Sequence, residues 1–204
     1  MDPKIRAALY DRYIIPTEEK RADFVGIEIE LPIVNLKGEA TDHEVSKEVF
    51  REALTHFGMT PKKYDRKGVC HEAVDEGNGD ILSFDCSYNN LEISFGIENS
   101  LIPVEERFYR YIAFFNEKLS SKNHIVTGMG IQPFYNKCRK DYIETGRYEM
   151  LGGYLNKCSE WRRTGGFHEY PGFGTFASST QIQLDIKKED LIDTVSTFSL
   201  IEPV

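Results

Sequence analysis

The chain has 204 residues, 40% of them hydrophobic, enough for one domain with a real core and too many for a disordered polymer. Lysine and arginine (25) fall short of aspartate and glutamate (33), and the net charge of −8 repels polyphosphate backbones, so no nucleic-acid partner is expected. No run approaches the roughly 18 apolar residues of a membrane span.

No apolar stretch follows the first charges, as it would in a signal peptide. Cys70, Cys86, Cys138 and Cys158 lie too far apart for a zinc ribbon or a dense disulfide framework. These features lead us to expect a cytoplasmic protein with reduced thiols and no membrane partner.

Residues 4 to 14 read as a short amphipathic helix that ends before Pro16. Phe24 to Val34 is strand-like, and Asn35-Leu36-Lys37-Gly38 supplies a turn. Thr41 or Asp42 can cap a helix to Phe57, with Val45, Val49, Phe50, Leu54 and Phe57 at helical spacing and Gly58 as its stop. Val69 to Val74, Asp80 to Cys86 and Leu91 to Phe95, separated by Glu76-Gly77-Asn78-Gly79 and Asn89-Asn90, read as an antiparallel meander. Pro103 suits the first turn of a long helix whose stripe runs from Val104 to Leu119. His124 to Ile131 should be a strand, Tyr142 to Asn156 a helix, residues 164 to 174 a glycine-rich aromatic loop, and Phe176 to Ile186 a last strand before an apolar-periodic segment from Leu191. This order predicts an α+β fold, a mostly antiparallel sheet with helices on one face, in one unit spanning residues 1–204.

The strands carry a chemical signal. In Gly26-Ile27-Glu28-Ile29-Glu30-Leu31, the period of two places the apolar residues on one face and both glutamates, about 7 Å apart, on the other. Leu91-Glu92-Ile93-Ser94-Phe95 repeats the alternation, as do Gln181, Gln183 and Asp185 between Ile182, Leu184 and Ile186. A single strand of this kind is what any half-exposed sheet shows. Three of them, with no Lys or Arg to neutralise the carboxylates, make an oxygen-rich face suited to a hard divalent cation such as Mg²⁺ or Ca²⁺.

At these residues the chain resembles glutamate-cysteine ligases, members of the glutamine-synthetase-like superfamily. Glu28-Ile29-Glu30 is similar to the family's Glu-x-Glu strand, and Asp85 precedes Glu92 by the family's interval of seven. Gly128-Met129-Gly130-Ile131-Gln132-Pro133 resembles Gly-x-Gly-x-Gln-Pro, and Gly146-Arg147-Tyr148-Glu149-Met150 resembles Gly-Arg-Tyr-(Asp/Glu)-x-Met. Thr180 to Asp185 is similar to the strand that supplies a His or amide ligand, here Gln181. Together these segments cover residues 24 to 185, and their order makes them more specific than any one alone.

The resemblance implies an ATP-dependent carboxylate-amine ligase. ATP would phosphorylate the γ-carboxylate of glutamate, and the amine of cysteine would displace phosphate to give γ-glutamylcysteine, the first step of glutathione biosynthesis. It implies Mg²⁺ (or Mn²⁺) on Glu28, Glu30, Asp85, Glu92 and Gln181, substrate contacts from Gln132, Tyr135, Arg147 and Gln183, and a catalytic role for Arg147. Tyr135 stands where related plant enzymes have tryptophan. It also implies that the 204 residues are the N-terminal part of a larger catalytic domain, inactive alone and prone to self-association through an unpaired sheet edge. A ligase with another amine acceptor, a non-catalytic cation-binding module and a purely structural fragment are the competing expectations.

Overall fold

The protein was analysed as a computed structural model, which describes residues 2–19, 23–160 and 172–201. Its elements are α1 (Pro3–Tyr13), β1 (Val25–Asn35), α2 (His43–Phe57), β2 (Thr60–Tyr64), β3 (Cys70–Val74), β4 (Ile81–Phe84), β5 (Asn90–Ser94), α3 (Leu101–Ser120), β6 (His124–Val126), α4 (Gly146–Glu160), β7 (Thr180–Leu184) and α5 (Leu191–Ile201). The fold is α+β with a mostly antiparallel sheet, in the order β2-β3-β4-β5-β1-β6 and with β7 also paired to β1. Among the described residues, no helix is long and apolar enough to cross a membrane.

β1 organises the sheet because it is long enough to hold three partners. The backbone groups of its odd-numbered residues face β5: Ile27 accepts from Phe95 N–H, and Ile33 donates to the Asn89 carbonyl. Its even-numbered residues face the other edge, where Glu30 donates to Ser179 and Pro32 accepts from Thr127. That edge is shared, with β7 opposite residues 25–29 and β6 opposite residues 33–35. Pro32 sits where the two partners meet, so its missing N–H interrupts neither ladder.

The apolar side of the sheet is covered by α2 and α3. Leu31, Ile33, Leu82, Phe84, Leu91 and Ile93 are buried there against Val49, Phe50 and Ala53 of α2 and Tyr111, Phe115 and Leu119 of α3. Each large side chain so buried contributes about 1.5–3 kcal/mol. α2 starts at Asp42, whose carboxylate accepts from Glu44 N–H at 2.9 Å, and stops at Gly58, which takes the left-handed conformation (φ 66°) that a side chain would strain. Ser100 caps α3 in the same way, with Pro103 in the first turn.

The β3–β4 hairpin is tied to α3 by a buried ion pair. Asp80, fully buried, forms an ion pair with Arg107, whose Nε lies 2.9 Å away, and accepts from the Tyr111 hydroxyl (3.0 Å) and Gly96 N–H (2.9 Å). Gly96 itself passes so close to this turn that a Cβ there would lie 1.9 Å from the Asn78 carbonyl oxygen.

Several boundaries differ from the sequence reading. β2 is an extra strand that Pro61, Lys62 and Lys63 disguise, since they show no apolar alternation and sit at an irregular edge. β6 ends at Val126, because after Thr127 the chain leaves β1, and it is next bridged between Ile131 and Ala177. α4 begins at Gly146 rather than Tyr142, whose ring instead packs against the core. The expected glycine-rich loop lies outside the described residues over positions 164–171, as do His168 and the side chain of Cys158.

Candidate acidic cleft

The face of the sheet turned away from α2 and α3 collects the carboxylates. Antiparallel register sets Glu72 opposite Ser83, Ser83 opposite Glu92, and Glu92 opposite Glu30, a row across four adjacent strands. Beside it, Glu28 lies between Ser94 on one neighbour and Gln181 on the other. Glu30, Glu92 and Glu28 are therefore brought together by pairing β1 to β5 and β7, at cross-strand spacings where like charges repel. Asp85 enters from the loop after β4, in which Cys86 takes a positive φ of 55°. These groups line a cleft of about 240 Å³, whose wall is completed by His71, Arg147 and Tyr148.

Few of the carboxylate oxygens are satisfied inside the cleft. Glu30 accepts from Ser179 N–H at 2.7 Å and distantly from the Gln181 amide at 3.4 Å, and Glu92 accepts from the Ser94 hydroxyl at 2.9 Å. The Cys86 thiol donates to Asp85 at 3.4 Å. Burial, reinforced by the charges of Asp85, Glu28 and Glu30, pushes the Glu92 carboxyl up to about 7. Burial and the Asp85 charge raise Glu30 as well, and burial raises Asp85 against the pull of the Arg147 guanidinium. Glu72 is different, because Lys63 pairs with it at 2.6 Å. Burial lowers the His71 pKa and favours the neutral ring.

Arg147 is the second residue of α4, so its guanidinium and the partial positive charge of the helix N-terminus stand on the same side of the cleft. Carboxylates face a cationic wall. Such a site can hold a cation against the sheet and anionic oxygens against the helix. The donors gathered here, the carboxylates of Glu28, Glu30, Asp85 and Glu92 and the Gln181 amide, offer oxygen, the atom type hard divalent cations prefer. Among the described residues, no group of three or more His, Cys, Asp or Glu is placed so that it could hold a metal ion.

Of the residues singled out in the sequence, Glu28, Glu30, Asp85, Glu92, Gln181 and Arg147 meet in the cleft. Gln183 lines an adjoining hollow of about 360 Å³ that shares Glu28 and is walled by Phe24, Gly26 and Ile81. Its Oε1 would lie 2.9 Å from a Cβ at Gly26, so glycine there leaves room for the amide.

Two of the residues singled out, Gln132 and Tyr135, line neither hollow. Gln132 is 1% exposed and its amide is used up, donating to the Ile33 carbonyl (2.8 Å) and the Thr41 hydroxyl (3.1 Å) and accepting from Phe134 N–H (3.2 Å). It fastens the segment after β6 to β1. Tyr135 stacks on Phe176 at 5.0 Å and lines neither hollow. Sequence reasoning missed His71, Glu72, Ser83 and Tyr148 as wall residues. Glu72 and Ser83 were discoverable, since each alternates with buried neighbours in its strand; His71 and Tyr148 reach the cleft only through tertiary packing.

The chain matches no protein-family model, and no curated protein matches it.

Proposed function

We propose that the protein is a glutamate-cysteine-ligase-like carboxylate-amine ligase on a glutamine-synthetase-like fold, which uses ATP and Mg²⁺ to join the γ-carboxylate of glutamate to the amine of cysteine through a γ-glutamyl phosphate. The observation that carries this reading is the convergence of Glu28, Glu30, Asp85, Glu92 and Gln181 from three strands and a loop onto one cleft faced by Arg147. Phosphoryl transfer asks mainly for positioning and charge neutralisation, and an acidic sheet opposed by an arginine supplies sites for both signs of charge.

Glu28, Glu30, Glu92 and the Gln181 amide are the residues that would hold the metal, with Asp85 behind them. When bound, Mg²⁺ supplies neutralisation of phosphate charge. Glu92, its carboxyl pushed up to about 7 by burial and its carboxylate neighbours, would give up its proton to solvent more readily as it takes up a cationic partner. Arg147 presents a rigid donor fork to a phosphate or carboxylate and keeps that anion from facing the carboxylates directly. The neighbouring hollow past Glu28 leaves room for a further part of a substrate, with Gln183 on its wall.

The test has two parts. Calorimetric titration of the 204-residue chain with Mg²⁺ and Mn²⁺ should detect binding that Glu28→Gln weakens at least tenfold. The complete gene product should release ADP from ATP in the presence of glutamate, fastest with cysteine as the added amine. Turnover fastest with another amine would change the acceptor. Cation binding without ADP release for any amine would leave a non-catalytic cation-binding module, and absence of both would sink the reading.

A further inference from the structure

We infer that the turn between β2 and β3 is a clamp on the start of α4, in which Arg66 is the positioning residue that holds the Arg147 guanidinium at the cleft wall. This rests on the reading of Arg147 as the group that receives an anion.

The turn is braced from within and from below. One Asp65 carboxylate oxygen accepts from the N–H groups of Lys67 and Val69, both at 2.8 Å, and the other accepts from the Tyr88 hydroxyl at 2.8 Å. Gly68 takes a left-handed φ of 77°, and its N–H donates to the Asp65 carbonyl at 3.0 Å. Tyr88 is buried and packs edge-on against Phe84, with ring centres 5.0 Å apart, so the brace reaches the core. Arg66 and Lys67 therefore stand on a backbone whose place is fixed.

Both side chains reach the start of α4, about 80 residues further along the chain. Arg66 meets Glu149 through two bonds, Nη1 to Oε1 at 2.6 Å and Nη2 to Oε2 at 2.7 Å, and its backbone N–H donates to the Glu144 carbonyl at 3.1 Å. Lys67 pairs with the Glu144 carboxylate. An isolated exposed ion pair is weak, but a two-pronged arginine–carboxylate contact joined to a second pair is the arrangement in which such contacts count.

The rest of α4 holds it less firmly. Tyr148 and Leu151 pack on the core, whereas Met150 and Tyr154 are exposed. Arg147 lies in sequence between the two clamped acids and makes no hydrogen bond or ion pair with any described residue; its guanidinium stands 5.6 Å from the Tyr148 ring centre. With Glu144 taken by Lys67 and Glu149 by Arg66, the Arg147 fork stays open to an anion while the clamp fixes its place on the wall.

Amide exchange and calorimetry of the 204-residue chain test the clamp and its consequence separately. Arg66→Ala should speed exchange in the first turn of α4 by about fivefold, the upper range for an exposed pair, and leave α2 unchanged. It should weaken MgATP binding by a similar factor. Added to Arg147→Ala, it should change MgATP binding by less than about twofold, because the clamp acts through a side chain already removed. Arg51→Ala, which deletes an exposed charge with no ion-pair partner among the described residues, should bind MgATP as the parent does. Unchanged exchange or affinity in Arg66→Ala, an equal loss in the Arg147→Ala background, or an equal loss in Arg51→Ala would overturn the inference while leaving the cleft's proposed role standing. A parent chain that binds no MgATP would overturn the reading of Arg147 and the clamp with it.

Discussion

Replacing Glu92 by glutamine should stabilise the protein at alkaline pH and leave it unchanged in acid. The folded state raises this carboxyl from 4.5 to about 7, because burial and three neighbouring carboxylates oppose its ionisation. A group whose folded pKa lies above its unfolded pKa holds its proton more tightly in the native state. Stability from that proton is intact below pH 4.5 and is lost as pH rises through 7. The shift corresponds to ~3 kcal/mol at pH 8, and water reaching the half-buried group screens part of it, leaving about 1–3 kcal/mol. Glutamine keeps the shape and can still accept the Ser94 hydroxyl, but it never ionises. Thermal melts at pH 8 without divalent cations should therefore place Glu92→Gln about 2–12 °C above the parent, given roughly 2–4 °C per kcal/mol for a chain of this size. At pH 4 the two should coincide, and saturating Mg²⁺ should erase the gap at pH 8 by stabilising only the parent. An equal shift at both pH values, or a lower melting temperature at pH 8, would refute the electrostatic account of the cleft.

Further outcomes follow from the cleft and from the Asp80 turn. Mg²⁺ at a hundred times its dissociation constant should stabilise the chain by about 2.7 kcal/mol, and its affinity should rise between pH 6 and pH 8 as Glu92 loses its proton; a pH-independent melting shift would contradict this. Arg147→Ala should weaken ATP binding in calorimetry while leaving cation affinity equal or higher, because the guanidinium's charge opposes a cation beside Asp85. Asp80→Ala should cost about 1–3 kcal/mol in urea unfolding, because the Tyr111 hydroxyl and Gly96 N–H lose their acceptor while Glu98 still pairs with Arg107 at 2.7 Å, and Gly96→Ala should also be destabilising because its Cβ meets the fixed Asn78 carbonyl; parent-like midpoints would show that the turn relaxes freely.

The sequence by itself determined the elements whose signals are local. Asp42 and Gly58 bracket α2, Pro103 falls in the first turn of α3, and period-two alternation puts Glu28, Glu30 and Glu92 on the side of their strands opposite Leu31, Leu91 and Ile93. Capping, backbone strain and strand geometry act within a few residues, so they can be read along the chain. β2 was not legible, because a charged edge strand is specified by its neighbour rather than by its own pattern. The cleft was legible in composition but not in geometry. Which carboxylates face one another depends on the registers that set Glu30 opposite Glu92 and Glu28 beside Gln181, and these come from packing of strands distant in sequence. The same distinction separates Gln132 from Gln181. Both are glutamines in suggestive motifs, but only tertiary structure shows that one exhausts its hydrogen bonds on Ile33 and Thr41 while the other remains on the open face, because the partners that satisfy a buried amide lie about a hundred residues away along the chain.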